Sequence, residues 1–104
     1  MKTTTYKELT FKSGDVIPAN TEIEVLPLRH KTENKSHPTK CRLFYNDKEY
    51  GCNYISVFEQ PPEREILSMV FDSNCQSVGG QYDIEPDGFD PEGFPSWLQA
   101  LGIV

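Results

Sequence analysis

Residues Lys40–Ile55 read KCRLFYNDKEYGCNYI, and this stretch decides the fold. Asn46-Asp47 is a two-residue turn signal, since both residues tolerate the left-handed backbone that a tight hairpin needs. Counting outward, Lys40–Tyr45 and Lys48–Ile55 become paired antiparallel strands. Side chains alternate along a strand, so Cys41, Leu43, Tyr45, Tyr50, Cys52 and Tyr54 share one face, while Arg42, Phe44, Glu49, Gly51 and Asn53 share the other. The first set is apolar and is expected to face the core.

Working upstream, Glu22–Leu28 alternates Ile23 and Val25 with Glu22 and Glu24, the pattern of a half-buried strand. Pro27 places its strand at an edge or near its end. Tyr6–Phe11 alternates weakly and reads as a strand broken at Ser13-Gly14-Asp15, and Pro18-Ala19-Asn20 reads as a turn. His30–Lys40 is polar and is expected to form a loop. Downstream, Pro61-Pro62-Glu63-Arg64-Glu65 opens a helix, because proline suits a first helical turn and acids favour the positive end of the dipole. Ile66, Leu67, Met69, Val70 and Phe71 give it a wide apolar face, and Asp72-Ser73-Asn74 stops it. Cys75–Glu85 reads as a second hairpin about Gly79-Gly80. The tail has turns at Asp87-Gly88 and Glu92-Gly93, then a short helix with Ser96 and Gln99 at capping-box spacing and Gly102 as its stop. Trp97, Leu98, Leu101, Ile103 and Val104 favour a tail packed on the sheet. The expected class is mainly β with minor α (α+β): a small SH3-like barrel or β-sandwich, with a middle helix and a C-terminal hairpin and short-helix extension.

The 104 residues fit a single domain: a β-rich body over 1–60, a helix over 61–72, and an acidic hairpin with an apolar tail over 73–104. No apolar run approaches the length of a membrane span, and the polar first dozen residues lack the apolar core of a signal peptide. A soluble, cytoplasmic protein is the expectation. Three cysteines, Cys41, Cys52 and Cys75, then read as free thiols of a reducing compartment. Cys41 and Cys52 nevertheless fall opposite each other about the turn, where a bridge is geometrically feasible.

Charge divides the chain. Residues 1–60 carry nine Lys/Arg and eight Asp/Glu, net +1, whereas residues 61–104 carry one and eight, net −7. Such a one-signed surface steers oppositely charged molecules towards it and repels phosphates. The acids Asp83, Glu85, Asp87, Asp90 and Glu92, with Phe89 as an aromatic anchor, form the candidate surface for a basic protein partner. The competing reading is a solvated loop that only aids solubility. A second candidate is a nucleic-acid site built from Arg29, Lys31, Lys35, Lys40 and Arg42, followed by Phe44 and Tyr45. The acidic balance of the whole chain argues against it.

Other chemistries fit less well. Asp83-x-Glu85-x-Asp87-Gly88 copies the opening of a calcium loop, but Phe94 stands where the bidentate acid belongs. His30, His37, Cys41 and Cys52 match no zinc module. No spacing marks a paired carboxylate, a nucleophile beside a base or a phosphate loop. No enzyme, cofactor or metal is expected.

The tail carries one resemblance. Glu85-Pro86-Asp87-Gly88, Gly93-Phe94-Pro95-Ser96-Trp97-Leu98 and Ala100-Leu101-Gly102-Ile103, with Asn74-Cys75-Gln76-Ser77 and Gly80 before them, resemble the C-terminal end of small proteins encoded by tailed phages and prophages. It covers roughly the last thirty residues and transfers no catalytic residue. The resemblance implies a setting: a non-enzymatic phage protein in the cytoplasm of an infected bacterium. There it would block a basic, nucleic-acid-binding surface of a host defence protein such as a CRISPR complex (an anti-CRISPR-like role), or serve as a phage structural or assembly component.

Overall fold

The computed structural model describes residues 1–29 and 35–104. Its centre is a four-stranded antiparallel sheet in the order β1-β4-β5-β6, formed by Lys2–Thr4, Glu22–Arg29, Ser36–Tyr45 and Lys48–Asn53. Two small hairpins stand beside it: β2 (Leu9–Thr10) with β3 (Val16–Ile17), and β7 (Cys75–Gln76) with β8 (Asp83–Ile84). The helices are α1 (Tyr54–Val57), α2 (Glu63–Asp72) and α3 (Trp97–Ala100). The fold is therefore mainly β with minor α, but its strands do not close into a barrel. Among the described residues no helix is long and apolar enough to cross a membrane.

The β5–β6 hairpin forms in the expected register. Asn46 and Asp47 both have positive φ, 53° and 62°, the backbone of a type I′ turn, which matches the right-handed twist of the strands. Tyr45 faces Lys48, Leu43 faces Tyr50 and Cys41 faces Cys52. Leu43 and Cys41 are fully buried and Tyr50 and Cys52 half-buried, whereas Glu49 and Gly51 on the other face are exposed.

Pro27 lies in a strand with neighbours on both sides, and the ladder explains why it is tolerated. The Val25 N–H donates to the Met1 carbonyl at 2.8 Å, so odd-numbered residues of β4 turn their backbone towards β1. Pro27 turns the same way two residues later, past the Met1–Val25 pairing. It thus removes no ladder bond and leaves that stretch of edge without a donor.

Two expectations need correction, and two features go beyond them. The polar N-terminus contains β1, a three-residue strand whose KTT sequence has no apolar alternation to announce it. Residues 30–34 lie outside the described residues, and the loop expected over His30–Lys40 is overturned from Ser36 onward, where β5 begins. There the His37 Nδ1 accepts the N–H groups of Thr39 and Lys40 at 3.2 and 3.1 Å, and the pairing with β4 shifts register between Pro27 and Arg29. This side-chain bonding takes up backbone donors around Pro38 and lets a polar segment join the sheet. Strand β6 ends at Asn53, and Tyr54 enters α1, turning inward as a fully buried side chain. The apolar face of α2 is largely left in solvent, with only Met69 buried.

The core joins both halves of the chain. Ile23, Val25, Cys41 and Leu43 of the sheet pack with Tyr54, Val57 and Phe58 around α1 and with Phe94, Trp97 and Leu98 of the tail. Gly93–Ala100 is an unbroken run of eight buried residues. Gly93 fits because its φ is +94° and a β-carbon there would stand 2.9 Å from the Ser36 Oγ and 3.3 Å from the Pro27 Cγ. Burying Phe94, Trp97 and Leu98 contributes roughly 1.5–3 kcal/mol each, which holds the tail on the sheet.

Because Asp47 occupies a left-handed conformation that costs a β-carbon-bearing residue energy, Asp47→Gly should raise stability by about 0.5 kcal/mol. Urea unfolding with an unchanged m value checks this, and a fall in the midpoint would contradict the turn assignment.

Candidate functional site

The acidic loop does not present all its residues to solvent. Asp83 on β8, Glu85, Asp87 and Glu92 are exposed. Asp90 is 5% exposed and belongs to the interior, which corrects the expectation that it faces a partner. Its Oδ1 accepts the N–H groups of Glu92 and Phe94, both at 2.9 Å, while its own N–H donates to the Phe94 carbonyl at 2.8 Å. Asp90 is thus the staple that folds residues 90–94 back on themselves. Phe89 is half-buried and its backbone bridges to Pro95.

The next turn is stapled by Ser96 and Gln99. The Ser96 Oγ caps α3 by accepting the Gln99 N–H at 3.2 Å and donates to the Pro86 carbonyl. The Gln99 Nε2 donates to the Gly88 carbonyl at 2.6 Å and its side chain does not reach back to accept the Ser96 N–H, so half of a capping box forms. The Ser96 N–H also goes to the Gly88 carbonyl, which leaves Gln99 no reciprocal role at the cap.

The basic segment is partly neutralised in place. The Arg42 guanidinium lies 2.6 Å from the Glu49 carboxylate and 5.1 Å over the Phe44 ring. Arg29, Arg42 and Glu49 line one groove together with Glu92 of the acidic loop. Lys35 and Lys40 are exposed, and Lys31 lies outside the described residues, as does His30. The two charged surfaces expected from the sequence therefore meet instead of standing apart. Among the described residues no group of three or more His, Cys, Asp or Glu side chains could hold a metal ion, the Asp83-x-Glu85-x-Asp87 run included.

The wide apolar face of α2 is mostly surface. At 3.6 residues per turn, Met69, Ile66, Val70, Leu67 and Phe71 span about 200° of the α2 circumference, more than one packed layer covers. Met69 faces the core and Ile66 is half-buried, but Val70, Leu67 and Phe71 are 44%, 48% and 81% exposed. On the other side of Met69, Glu65 and Asp72 line a shallow groove of about 300 Å³ with Asp83 of β8. The only visible signal for this ridge was the width of the apolar arc itself.

A second concave region, of about 830 Å³, lies between the β2–β3 hairpin and β6, lined by Leu9, Phe11, Asp15, Lys48, Tyr50 and Cys52 among others. Phe11 stacks on Tyr50 with ring centroids 4.2 Å apart, and the Tyr50 hydroxyl donates to the Asp15 Oδ2 at 2.8 Å. That hydrogen bond and the nearby Lys48 ammonium hold the Asp15 carboxyl below its ordinary value of 3.8. The same hydrogen bond pushes the Tyr50 phenol up.

Compared with family models, curated proteins and solved structures, the chain matches none.

Two outcomes follow from these contacts. Asp90→Ala should cost about 2 kcal/mol, because it leaves two N–H groups of the 90–94 turn without their charged acceptor; thermal unfolding measures the loss. Asp15, with a depressed folded pKa, contributes stability that is fully present above its unfolded value and lost as pH falls through the lower folded one. Asp15→Asn should therefore unfold at lower urea than the native chain at neutral pH, and the two midpoints should draw together as pH falls below the ordinary carboxylate value.

Proposed function

We propose that the chain is a non-enzymatic protein-interaction module that docks through the exposed face of α2. The observation that carries this reading is the ridge of Leu67, Val70 and Phe71, with Phe71 81% exposed on a regular ten-residue helix. Apolar side chains left together in water on an ordered helix mark a contact surface, and a helix laid into an apolar groove is a common way to make one. Exposed acids of the same half, Glu63, Glu65, Asp72, Asp83, Glu85, Asp87 and Glu92, give the contact its sign. They favour a partner with basic residues around its groove and speed its approach. The resemblance of the tail to phage and prophage proteins supports a host protein as that partner. The basic nucleic-acid channel of a defence complex offers such a surface, and this would place the protein in the cytoplasm of the infected bacterium.

A nucleic-acid site on Arg29, Lys35, Lys40 and Arg42 is weaker, because Glu49 and Glu92 share the surface with the two arginines. Phosphate binding there would be opposed by both carboxylates.

The double variant Leu67→Asp, Phe71→Asp should keep its stability to within about 0.5 kcal/mol, since neither side chain is in the core. Affinity capture from nuclease-treated bacterial lysate should recover a basic host protein with the native chain and at least about tenfold less with the variant. Equal recovery by both chains would remove α2 from the contact. Recovery that disappears with nuclease would move the function to nucleic acid. Sedimentation of the purified chain decides the remaining case: a native dimer that becomes monomeric in the variant would make the ridge a self-association surface.

A further inference from the structure

We propose that Cys41 and Cys52 form a redox dithiol that reacts with hydroperoxides reaching Cys52 from the groove between the β2–β3 hairpin and β6. The type I′ turn makes Tyr45 and Lys48 a hydrogen-bonded pair, and alternation along the ladder makes Cys41 and Cys52 another. The Cα separation of such a pair, about 5.5 Å, lies inside the range that a disulfide spans. The sulfurs are 3.8 Å apart, and both cysteines are free. Closing to a bond needs side-chain rotation and leaves the backbone where the turn holds it.

The two thiols are not equivalent. Cys41 is fully buried, whereas Cys52 is half-buried and lines the 830 Å³ groove, where Lys7, Lys12 and Lys48 also stand. A small hydroperoxide can therefore meet Cys52 while Cys41 stays behind it. The hydrogen bond between the two sulfurs favours the Cys52 thiolate and pushes Cys41 up, and burial adds to that rise, so Cys41 keeps its proton. A half-buried thiol that ionises more readily, backed by a buried thiol that keeps its proton, is the arrangement of an attacking and a resolving cysteine.

The chemistry closes without any group beyond the hydroperoxide, ROOH. The Cys52 thiolate attacks the terminal oxygen, the O–O bond breaks, and the sulfur is oxidised to sulfenic acid while RO⁻ takes a solvent proton and leaves as ROH. The Cys41 sulfur then attacks the Cys52 sulfur, the S–OH bond breaks, and hydroxide leaves as water with the Cys41 proton. Two thiols and one hydroperoxide become one disulfide, one alcohol and one water. Cys75, which is 1% exposed and raised by burial, serves as an internal reference.

The test uses the full reduced chain with tert-butyl hydroperoxide in small excess, followed by peptide mapping. An intramolecular Cys41–Cys52 disulfide that a dithiol reductant reverses is expected, with Cys75 left reduced. Cys52→Ser should slow thiol loss by at least about tenfold. In Cys41→Ser, dimedone should trap the sulfenic acid on Cys52; Cys41→Ala, which places no hydroxyl in the core, repeats the trap. Oxidation of Cys75 ahead of Cys52, linkage of Cys52 between two chains, or reduced Cys41 and Cys52 in native protein that has consumed no hydroperoxide would each overturn the proposal. None of these readouts depends on a binding partner.

Discussion

Two successive residues in the left-handed region, Asn46 and Asp47, set the register on which the rest of the molecule depends. A slip of one residue in a hairpin exchanges its two faces. Here it would carry Cys41 and Leu43 out of the core and turn Arg42 and Phe44 inward. It would also remove Tyr50 from Phe11 and Asp15, the contacts by which the β2–β3 hairpin is held to β6. The turn therefore fixes the inner surface on which α1 and the C-terminal tail are laid. It also fixes the approach of the two sulfurs, so core packing and thiol chemistry depend on one local conformation.

The tail is the second half of that construction. Asp90 and Ser96 each use a short side chain to take up backbone groups of neighbouring turns, and this allows residues 93–100 to be buried in succession. A buried irregular segment is costly unless its N–H and C=O groups find partners. Among the described residues four buried side-chain oxygens remain without a hydrogen bond: Glu24 Oε2 on the sheet, and Ser77 Oγ, the Tyr54 hydroxyl and Asp90 Oδ2. Tyr54 meets the Phe94 ring edge-on at 6.0 Å, and its phenol is pushed up by burial first and then by the nearby Cys41 and Asp90. The interior junction of sheet and tail is therefore the least completely satisfied part of the core.

What the sequence made legible follows from how local each signal is. The β5–β6 hairpin was readable because its turn chemistry and its alternation agree, and α2 because proline, acids and an apolar run coincide. Strand β1 was not, since KTT joins the sheet only through pairing with Glu22–Glu24. Ser36–Lys40 was hidden because the His37 ring, not an apolar pattern, makes its strand geometry tolerable. Asp90 looked like its four exposed neighbours, because burial of a carboxylate by two N–H groups leaves no trace in composition. The exposure of Phe71 was equally invisible, since an apolar residue on a helix is ordinarily assigned to a core.

The charge division along the chain shows what a one-dimensional reading omits. Counted along the sequence, +1 and −7 suggest two electrostatically distinct surfaces. Folding brings Glu92 into the groove of Arg29 and Arg42, while Glu49 pairs with Arg42 directly. Both effects reduce the field where the signs meet. The potential that remains unopposed is the one over α2 and β8, where Glu65, Asp72 and Asp83 gather about one groove and Arg64 is the only base of residues 61–104. The same helix carries the uncovered ridge of Leu67, Val70 and Phe71. Electrostatic steering is sensitive to salt and contributes little affinity of its own, whereas apolar burial supplies affinity without direction. Their coincidence on α2 is therefore a stronger argument for a contact surface than either the acidic loop or the apolar arc taken alone.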